Sequence, residues 1–272
     1  MTLSTVLECI YRKLRILPKW MIEVLGLMTL LYPENGTPQD GIPEGIPTGA
    51  LHAEAQQLFN RISPSLEPGA GLMMEFISSC PMEGTSTLAR EFALAASQYT
   101  DEAVLLLDFD FKQRSQMHFY RELLEDPSGG TESLPDWITN IPTYLRSATS
   151  RAAPTFHFRS INQKGLIIGY LDPQVDSHPV VDNSVEFWSY LRKHTVMTIV
   201  DAPAFSQCYD GITISRAMDG VIPLVASETT RRPVVQKLLM ELEAHDAPLI
   251  GAVFNKRRFF IPQRVYRLLD KF

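Results

Sequence analysis

The sequence has few cysteines, and their positions argue against two kinds of stabilising cross-link. There are three in 272 residues, Cys9, Cys80 and Cys208, and no two of them have a CxxC spacing. An odd number of widely separated cysteines is not typical of a disulfide framework or of a structural zinc site. The six histidines are scattered without metal-ligand spacing, so they indicate no metal site.

The chain also lacks an excess of positive charge and a long apolar run. Its formal net charge is −6, so the molecule as a whole has no electrostatic reason to bind nucleic acid. The apolar stretch from residue 20 to residue 32 is shorter than the roughly 20 residues that span a bilayer, and no small-residue cleavage site follows it. The apolar fraction of 45% is that of a soluble globular protein.

Three segments can be separated along the chain. In residues 1–32 apolar side chains recur at helical spacing from Leu3 to Leu17, and the short apolar stretch follows. Such a segment lies on a membrane surface or a membrane partner, or packs on its own domain, and both interpretations stay open. Residues 33–49 contain four prolines and four glycines, which predicts a linker. Residues 50–272 are predicted to form the main domain.

The main domain alternates short apolar runs with helical patterns. The predicted strands are Leu72–Ser78, Val104–Leu107, Gly165–Ile168, Val196–Val200, Val221–Val225 and Leu249–Phe254. The predicted helices are Ala50–Ile62, Ser86–Gln98, Trp137–Ser147, Val185–His194, Ile212–Met218 and Val234–His245. This alternation predicts an α/β fold in which helices cover both faces of a parallel sheet. Ligands of such folds bind at the carboxyl ends of the strands.

A turn with phosphate-binding character follows the first predicted strand. In the common motif GxxxxGK[ST], backbone N–H groups and lysine bind phosphates and the last hydroxyl binds Mg²⁺. Ser79 stands here in place of the first glycine, Gly84 and Ser86 match, and Thr85 occupies the lysine position. Taken alone, the same residues would also suit a helix capped by hydroxyl groups after a core strand.

Acidic side chains end two further predicted strands. Asp108 and Asp110 follow Val104–Leu107, and Asp201 follows Val196–Val200. Carboxylates at these strand ends suit the positioning of a cation or of water. Their occurrence downstream of the glycine turn favours a nucleotide site over a simple capped helix.

At these residues the sequence resembles the bacterial tyrosine kinases and their cytoplasmic, kinase-like relatives in capsule and exopolysaccharide synthesis. These are P-loop proteins related to the chromosome-partitioning ATPases. The motif S-x-P-x-E-G-K-S-T is matched at Pro81, Glu83, Gly84, Ser86 and Thr87, D-x-D at Asp108 and Asp110, and D-x-P-P at Asp201 and Pro203. The resemblance covers about residues 50–270, and Asn255 matches a G-x-V-x-N strand end close to the nucleotide base.

The resemblance implies ATP or ADP with Mg²⁺ as the ligand. The implied nucleotide contacts are Glu83, Gly84, Thr85, Ser86, Thr87 and Asn255. Ser86, Asp108 and Asp201 would hold the magnesium ion, and Asp108, Asp110 and Asp201 are the catalytic candidates. The family's partner, an inner-membrane polysaccharide co-polymerase, implies a cytoplasmic protein at the periphery of that membrane.

The sequence departs from the kinase pattern in three places. Thr85 lacks the cation of the phosphate loop, whose loss costs binding about 1.5–3 kcal/mol and catalysis about 2.7–4 kcal/mol. Gln57 and Asn60 replace both arginines of the E-x-x-R-x-x-R helix that supports ring assembly, and the C-terminal end has one tyrosine, Tyr266, instead of a cluster. These losses predict little autokinase activity and leave the oligomeric state open.

Three functional hypotheses follow. The first is an accessory, regulatory protein of exopolysaccharide synthesis or export with an impaired or inactive nucleotide site. It would dock on its partner through residues 1–32 or through the basic run at residues 256–267. The second is an active ATPase or tyrosine kinase that takes a lysine from elsewhere, with Lys112 nearest in sequence, or from a partner chain. The third, a partitioning ATPase acting on cargo or DNA, is disfavoured by the acidic net charge.

Overall fold

A computed structural model describes residues 51–63, 71–121, 134–142, 145–146, 156–161, 165–171, 180–181 and 184–256. The predicted N-terminal segment, the linker and the basic run beyond Lys256 lie outside these residues. The helices are α1 (His52–Ile62), α2 (Thr85–Gln98), α3 (Ser115–Phe119), α4 (Val185–His194), α5 (Asp210–Ser215) and α6 (Arg232–Ala244). None of the described helices is long and apolar enough to cross a membrane.

The strands of the described chain form one large sheet and one small one. They are β1 (Leu72–Ser78), β2 (Val104–Asp108), β3 (Leu145–Arg146), β4 (Phe156–Ser160), β5 (Leu166–Leu171), β6 (Val180–Val181), β7 (Met197–Asp201), β8 (Gly220–Ala226) and β9 (Val253–Asn255). The large sheet has the order β4-β5-β2-β7-β1-β8-β9, and every pair in it except β4–β5 is parallel. The predicted α/β class is therefore confirmed.

Alternate residues of the central strands face opposite sides of the sheet, and helices cover both. On one side, Met74 and Phe76 of β1 pack in a cluster with Phe59 of α1 and Phe92 of α2. On the other side, strand residues pack with helices α4, α5 and α6, as in the contact of Val200 with the cluster that contains Trp188. Apolar runs that are buried on both faces are what a covered parallel sheet requires.

The helix termini follow from local chemistry. The hydroxyl of Ser184 caps α4 by accepting a hydrogen bond from Phe187 N at 3.4 Å. Glu186 lies in the first turn of this helix and Arg192 in the last, which suits the helix dipole. In α6, Pro233 lies in the first turn, where a missing backbone N–H costs nothing.

The predicted helix Trp137–Ser147 is wrong. The structure has a 3₁₀ helix at Asp136–Asn140, followed by β3, which pairs with β6 in the small antiparallel sheet. Pro142 explains the break, because proline forces the residue before it out of the helical region. Ile141 accordingly has an extended backbone with ψ of 126°.

The edge strand β4 was not predicted. It pairs antiparallel with β5, so the sheet is mostly, not wholly, parallel. The last predicted strand, Leu249–Phe254, is also shorter than expected. Leu249 makes only an isolated bridge to Val221 before β9 begins at Val253.

Candidate functional site

The loop between β1 and α2 is held by a buried carboxylate. Glu83, 2% exposed, accepts hydrogen bonds through Oε2 from Ser79 N at 2.9 Å and from Cys80 N at 3.0 Å. Its Oε1 accepts from Ala226 N at 3.1 Å and from the hydroxyl of Thr230. The sequence assigned Glu83 to nucleotide contact. The structure places its carboxylate beneath the loop, where it joins the loop to the end of β8.

Gly84 and Asn255 form the second connection between the loop and the sheet. Asn255 Nδ2, at the end of β9, donates to Glu83 O at 2.9 Å. Gly84 has φ of +103°, and a Cβ at this residue would lie 2.2 Å from Asn255 Nδ2. Only glycine satisfies both the backbone conformation and the close approach. The loop is thereby fixed just before α2 begins.

The first turn of α2 presents its backbone and hydroxyl groups to a cavity. Thr85 is 7% exposed, and its Oγ1 has no hydrogen-bond partner among the described residues. A buried hydroxyl without a partner is costly unless a ligand or water satisfies it. The N–H groups of a helix start and the positive end of the helix dipole favour an anion at this position.

The acidic strand ends meet beside this turn. Asp108 of β2 and Asp201 of β7 are paired in register on neighbouring strands. Asp108 accepts from Gln116 N at 2.9 Å and from Asp110 N at 3.2 Å. Asp201 Oδ2 accepts from Gln116 Nε2 at 2.7 Å, whereas Oδ1 is buried and has no partner within the described chain.

Burial makes both carboxylates reluctant to ionise. It raises the pKa of Asp108 well above its usual value, and the neighbouring Asp201 raises it further. Burial also raises the pKa of Asp201 to about 7, although hydrogen bonds from Gln116 and the Ser86 side chain act in the opposite direction. Two adjacent buried carboxyl groups of this kind favour a shared proton when no cation is present.

Gln116 organises the site and was not predicted. Its Nε2 donates to Ser86 O at 2.8 Å as well as to Asp201, and Arg90 Nη1 donates to its Oε1 at 3.5 Å. The side chain is fully buried. No local pattern could have identified it, because the partners of its side chain lie 26 to 85 residues away in sequence.

A cavity of about 410 Å³ lies at this edge of the sheet, beside residues 79–84 between β1 and α2. These residues are the predicted phosphate-binding turn and are called the phosphate loop below. Of the predicted site residues, six line the cavity, namely Gly84, Thr85, Ser86, Thr87, Asp110 and Asn255. Glu83, Asp108 and Asp201 lie behind that lining. Two cations that the sequence analysis did not assign to the nucleotide site also line the cavity. They are Arg90 and Lys256, the latter predicted only as the first residue of the basic docking run. Lys112, the lysine nearest in sequence, is exposed and is not part of the lining.

The residues present fit a nucleotide with Mg²⁺. Within the described ranges no three His, Cys, Asp or Glu side chains are grouped to hold a metal ion by themselves. Magnesium at a nucleotide site needs fewer protein ligands, because phosphates and water supply the rest. The Ser86 hydroxyl interacts with Asp201, whose Oδ1 is left without a partner. Both groups are oxygen donors of the kind that Mg²⁺ takes.

The fold, with its loop between β1 and α2 and its acidic strand ends, is similar to that of solved kinase domains of bacterial tyrosine kinases. No protein-family model matches the chain, and no curated protein matches it. Several of the similar solved structures are kinase domains. The kinase domain of the Escherichia coli tyrosine kinase ETK matches with a TM-score of 0.55 and 12% identity, covering 90% of this chain and 89% of that one.

Two further kinase domains are similar to this chain. The BceF tyrosine kinase domain has a TM-score of 0.52 at 15% identity, with 75% of this chain and 77% of that one covered. The VpsO kinase domain has a TM-score of 0.50 at 19% identity, with 76% of this chain and 96% of that one covered. The resemblance to bacterial tyrosine kinases is confirmed at the level of the fold.

Proposed function

We propose that this chain is a regulatory protein of bacterial exopolysaccharide synthesis or export whose kinase-like domain binds ATP or ADP with Mg²⁺ weakly. One observation carries the proposal. The loop between β1 and α2 is held by Glu83 and Asn255 and leads into the start of α2. Thr85 Oγ1, which has no hydrogen-bond partner among the described residues, lies beside the cavity, but residue 85 carries no charge. A site of this kind retains the shape that binds phosphate and lacks, at the start of α2, the lysine that would stabilise charge during transfer.

Each part of the site has a role in this proposal. The backbone from Gly84 to Thr87 and the Thr85 hydroxyl bind the phosphates at the start of α2. Ser86 and Asp201 hold Mg²⁺, which would neutralise charge on the phosphate oxygens. Asp110 lines the cavity and orients water, while Gln116 keeps Asp201 and the first turn of α2 in place.

Isothermal titration with ATP and Mg²⁺, combined with a phosphate-release assay, tests this proposal. We expect a dissociation constant above about 10 μM, which corresponds to less than about 7 kcal/mol of binding free energy. We expect turnover at the background rate. Tighter binding accompanied by hydrolysis would contradict the regulatory assignment.

The second candidate is an active ATPase or protein tyrosine kinase. The presence of Arg90 and Lys256 in the cavity lining favours it, because either cation would face a bound phosphate chain. Incubation with radiolabelled ATP, followed by measurement of free phosphate and of phosphotyrosine, separates the two candidates. Multiple turnovers support the enzyme, and their absence in the presence of bound ATP supports the regulator.

The partner in this proposal is an inner-membrane polysaccharide co-polymerase, contacted from the cytoplasmic side. The support is the resemblance of the sequence and the amphipathic pattern in residues 1–32. Flotation with anionic liposomes, comparing the full chain with a chain that begins at residue 50, tests membrane contact. Flotation of both chains or of neither would remove residues 1–32 as the membrane-contacting segment.

A further inference from the structure

The two cations that line the cavity differ in how firmly they are held. The guanidinium of Arg90 lies 3.5 Å from the centre of the Phe119 ring, and its Nη1 contacts Gln116. It is 7% exposed. The contact with the ring and the burial fix this group in place, so Arg90 contributes a stationary charge at the side of the cavity.

Lys256 contacts the phosphate loop from the end of β9. It follows β9 directly, and its Nζ donates to Met82 O in the loop at 2.5 Å. An ammonium group has three donors, and the other two have no acceptor in the described part of the chain. Lys256 also forms no ion pair with a described residue. Its charge is therefore available to an anion in the cavity.

The backbone at Lys256 directs the side chain towards the loop. The residue has φ of +57°, a conformation uncommon for a side-chain-bearing residue, and its N donates to Asn255 Oδ1 at 2.7 Å. Asn255 is in turn bound to Glu83 O. The two consecutive residues thus contact two consecutive carbonyl groups of the phosphate loop, which fixes where the lysine stem starts.

We propose that Lys256 supplies the phosphate-binding cation of this site, in place of the lysine that Thr85 replaces. The four-carbon stem is flexible, so the ammonium group can move from Met82 O to a phosphate oxygen while its starting point stays fixed. The inference rests on the proposed nucleotide binding, because it names the residue that meets the outer phosphates. The phosphate-binding cation would thus be supplied from the end of β9 and not from the start of α2.

Lys256→Met tests the proposal, because methionine keeps an unbranched apolar stem and removes the charge. We expect ADP and ATP to bind about 10-fold or more weakly and AMP less than about 3-fold more weakly, as for the loss of one charge-assisted contact to the outer phosphates. Lys256→Arg should restore affinity to within about 3-fold. Isothermal titration with the full chain measures all three ligands.

Two lysines provide matched controls. Lys237→Met removes one charge from α6, whose lysine lies over the Phe205 ring and not in the cavity lining. Lys112→Met removes the exposed lysine beside the acidic strand end. Both variants should bind ATP as the parent chain does, and thermal unfolding should confirm that all variants are folded.

A double variant distinguishes replacement from simple support of the loop. If Lys256 replaces the missing lysine, Thr85→Lys should largely rescue ATP binding in the Lys256→Met background, and the two changes should be strongly non-additive. If Lys256 only ties the loop through Met82 O, a lysine at residue 85 would not compensate.

The outcomes separate this inference from the function on which it rests. A parent chain that binds no nucleotide at all would remove both. Binding by the parent chain with an unchanged Lys256→Met variant would overturn the role of Lys256 alone. An equal loss for AMP, ADP and ATP, or a loss that appears with Lys112→Met instead, would also overturn it.

Discussion

At the scale of single residues, the charge that the phosphate loop can offer to a ligand depends on the residue at position 85. Thr85 is nearly buried at the start of α2, and its hydroxyl has no partner in the described chain. The adjacent cavity of about 410 Å³ has room for a longer side chain. The absence of a positive charge at position 85 therefore results from the type of side chain and not from the conformation of the loop.

Thr85→Lys should tighten ATP binding. A lysine at this residue would add a charge-assisted contact with the outer phosphates, worth about 1.5–3 kcal/mol or roughly 10- to 150-fold in affinity in the Lys256→Met background. The gain in the parent chain should be smaller, because Lys256 already contributes that charge. Titration calorimetry with ATP and Mg²⁺ measures the change. Thr85→Met, which adds length without charge, is the control, and a gain of affinity in that variant would show that the charge is not the cause.

Gly84→Ala should damage both the loop and its ligand site. The added Cβ would lie 2.2 Å from Asn255 Nδ2, on a backbone with φ of +103°. We expect a loss of unfolding free energy of about 1–3 kcal/mol and loss of nucleotide binding. Urea unfolding and calorimetry measure the two effects. A variant with parental stability and affinity would contradict the close approach between Gly84 and Asn255.

At the scale of elements, β1 carries an unusual residue in its centre. Glu75 is fully buried, and neither carboxylate oxygen has a partner in the described chain. Its Oε1 faces Gly211 of α5, where a Cβ would approach it to 3.2 Å. Burial raises the pKa of Glu75 well above the ordinary value, so its carboxyl group stays protonated to a higher pH than an exposed glutamate does.

Glu75→Gln should stabilise the fold at alkaline pH. The folded pKa of Glu75 is raised, so its favourable contribution is complete below the unfolded value of about 4.5 and is lost as pH rises through the folded pKa. Removing the ionisable group should add about 1–3 kcal/mol at pH 8.5 and much less at pH 5. Urea unfolding at both pH values checks this. Equal effects at both would exclude ionisation as the cause.

The elements also show what the sequence could and could not predict. The central strands were recognisable because their residues are apolar on both faces, as in Val104–Asp108. The helix over Trp137–Ser147 failed because the proline at residue 142 outweighed the spacing of apolar residues. Gln116 and Lys256 were missed for another reason. Each acts on residues distant in sequence, and only the fold brings those residues together.

At the scale of the whole molecule, buried carboxyl groups set the response to pH. Burial raises the pKa of Glu75 and of Asp108 well above their usual values and that of Asp201 to about 7. For each of them the folded state holds the proton more tightly than the unfolded chain does. The linkage relation then requires that stability fall as pH rises through this range.

The chain should therefore be more stable near pH 5.5 than near pH 8. Each unit of pKa elevation corresponds to about 1.4 kcal/mol, and ionisation of Asp201 alone spans the window from about 4 to about 7. Urea midpoints measured across this range test the expectation. Asp201→Asn should flatten the profile between pH 5.5 and pH 8, and an unchanged slope in that variant would assign the pH dependence to other groups.

The buried carboxylate of Glu83 has a consequence for the rate of ligand association. The Glu83 carboxylate accepts four hydrogen bonds that join the loop to the end of β8. The loop conformation is therefore formed when the chain folds and does not require bound phosphate. Nucleotide should therefore enter in a single step, with an observed stopped-flow rate that rises linearly with concentration and reaches no plateau. A plateau would reveal a slow rearrangement before or after binding. Without a plateau, the loop has its binding conformation before nucleotide arrives, and the proposed weak affinity would result from fast dissociation.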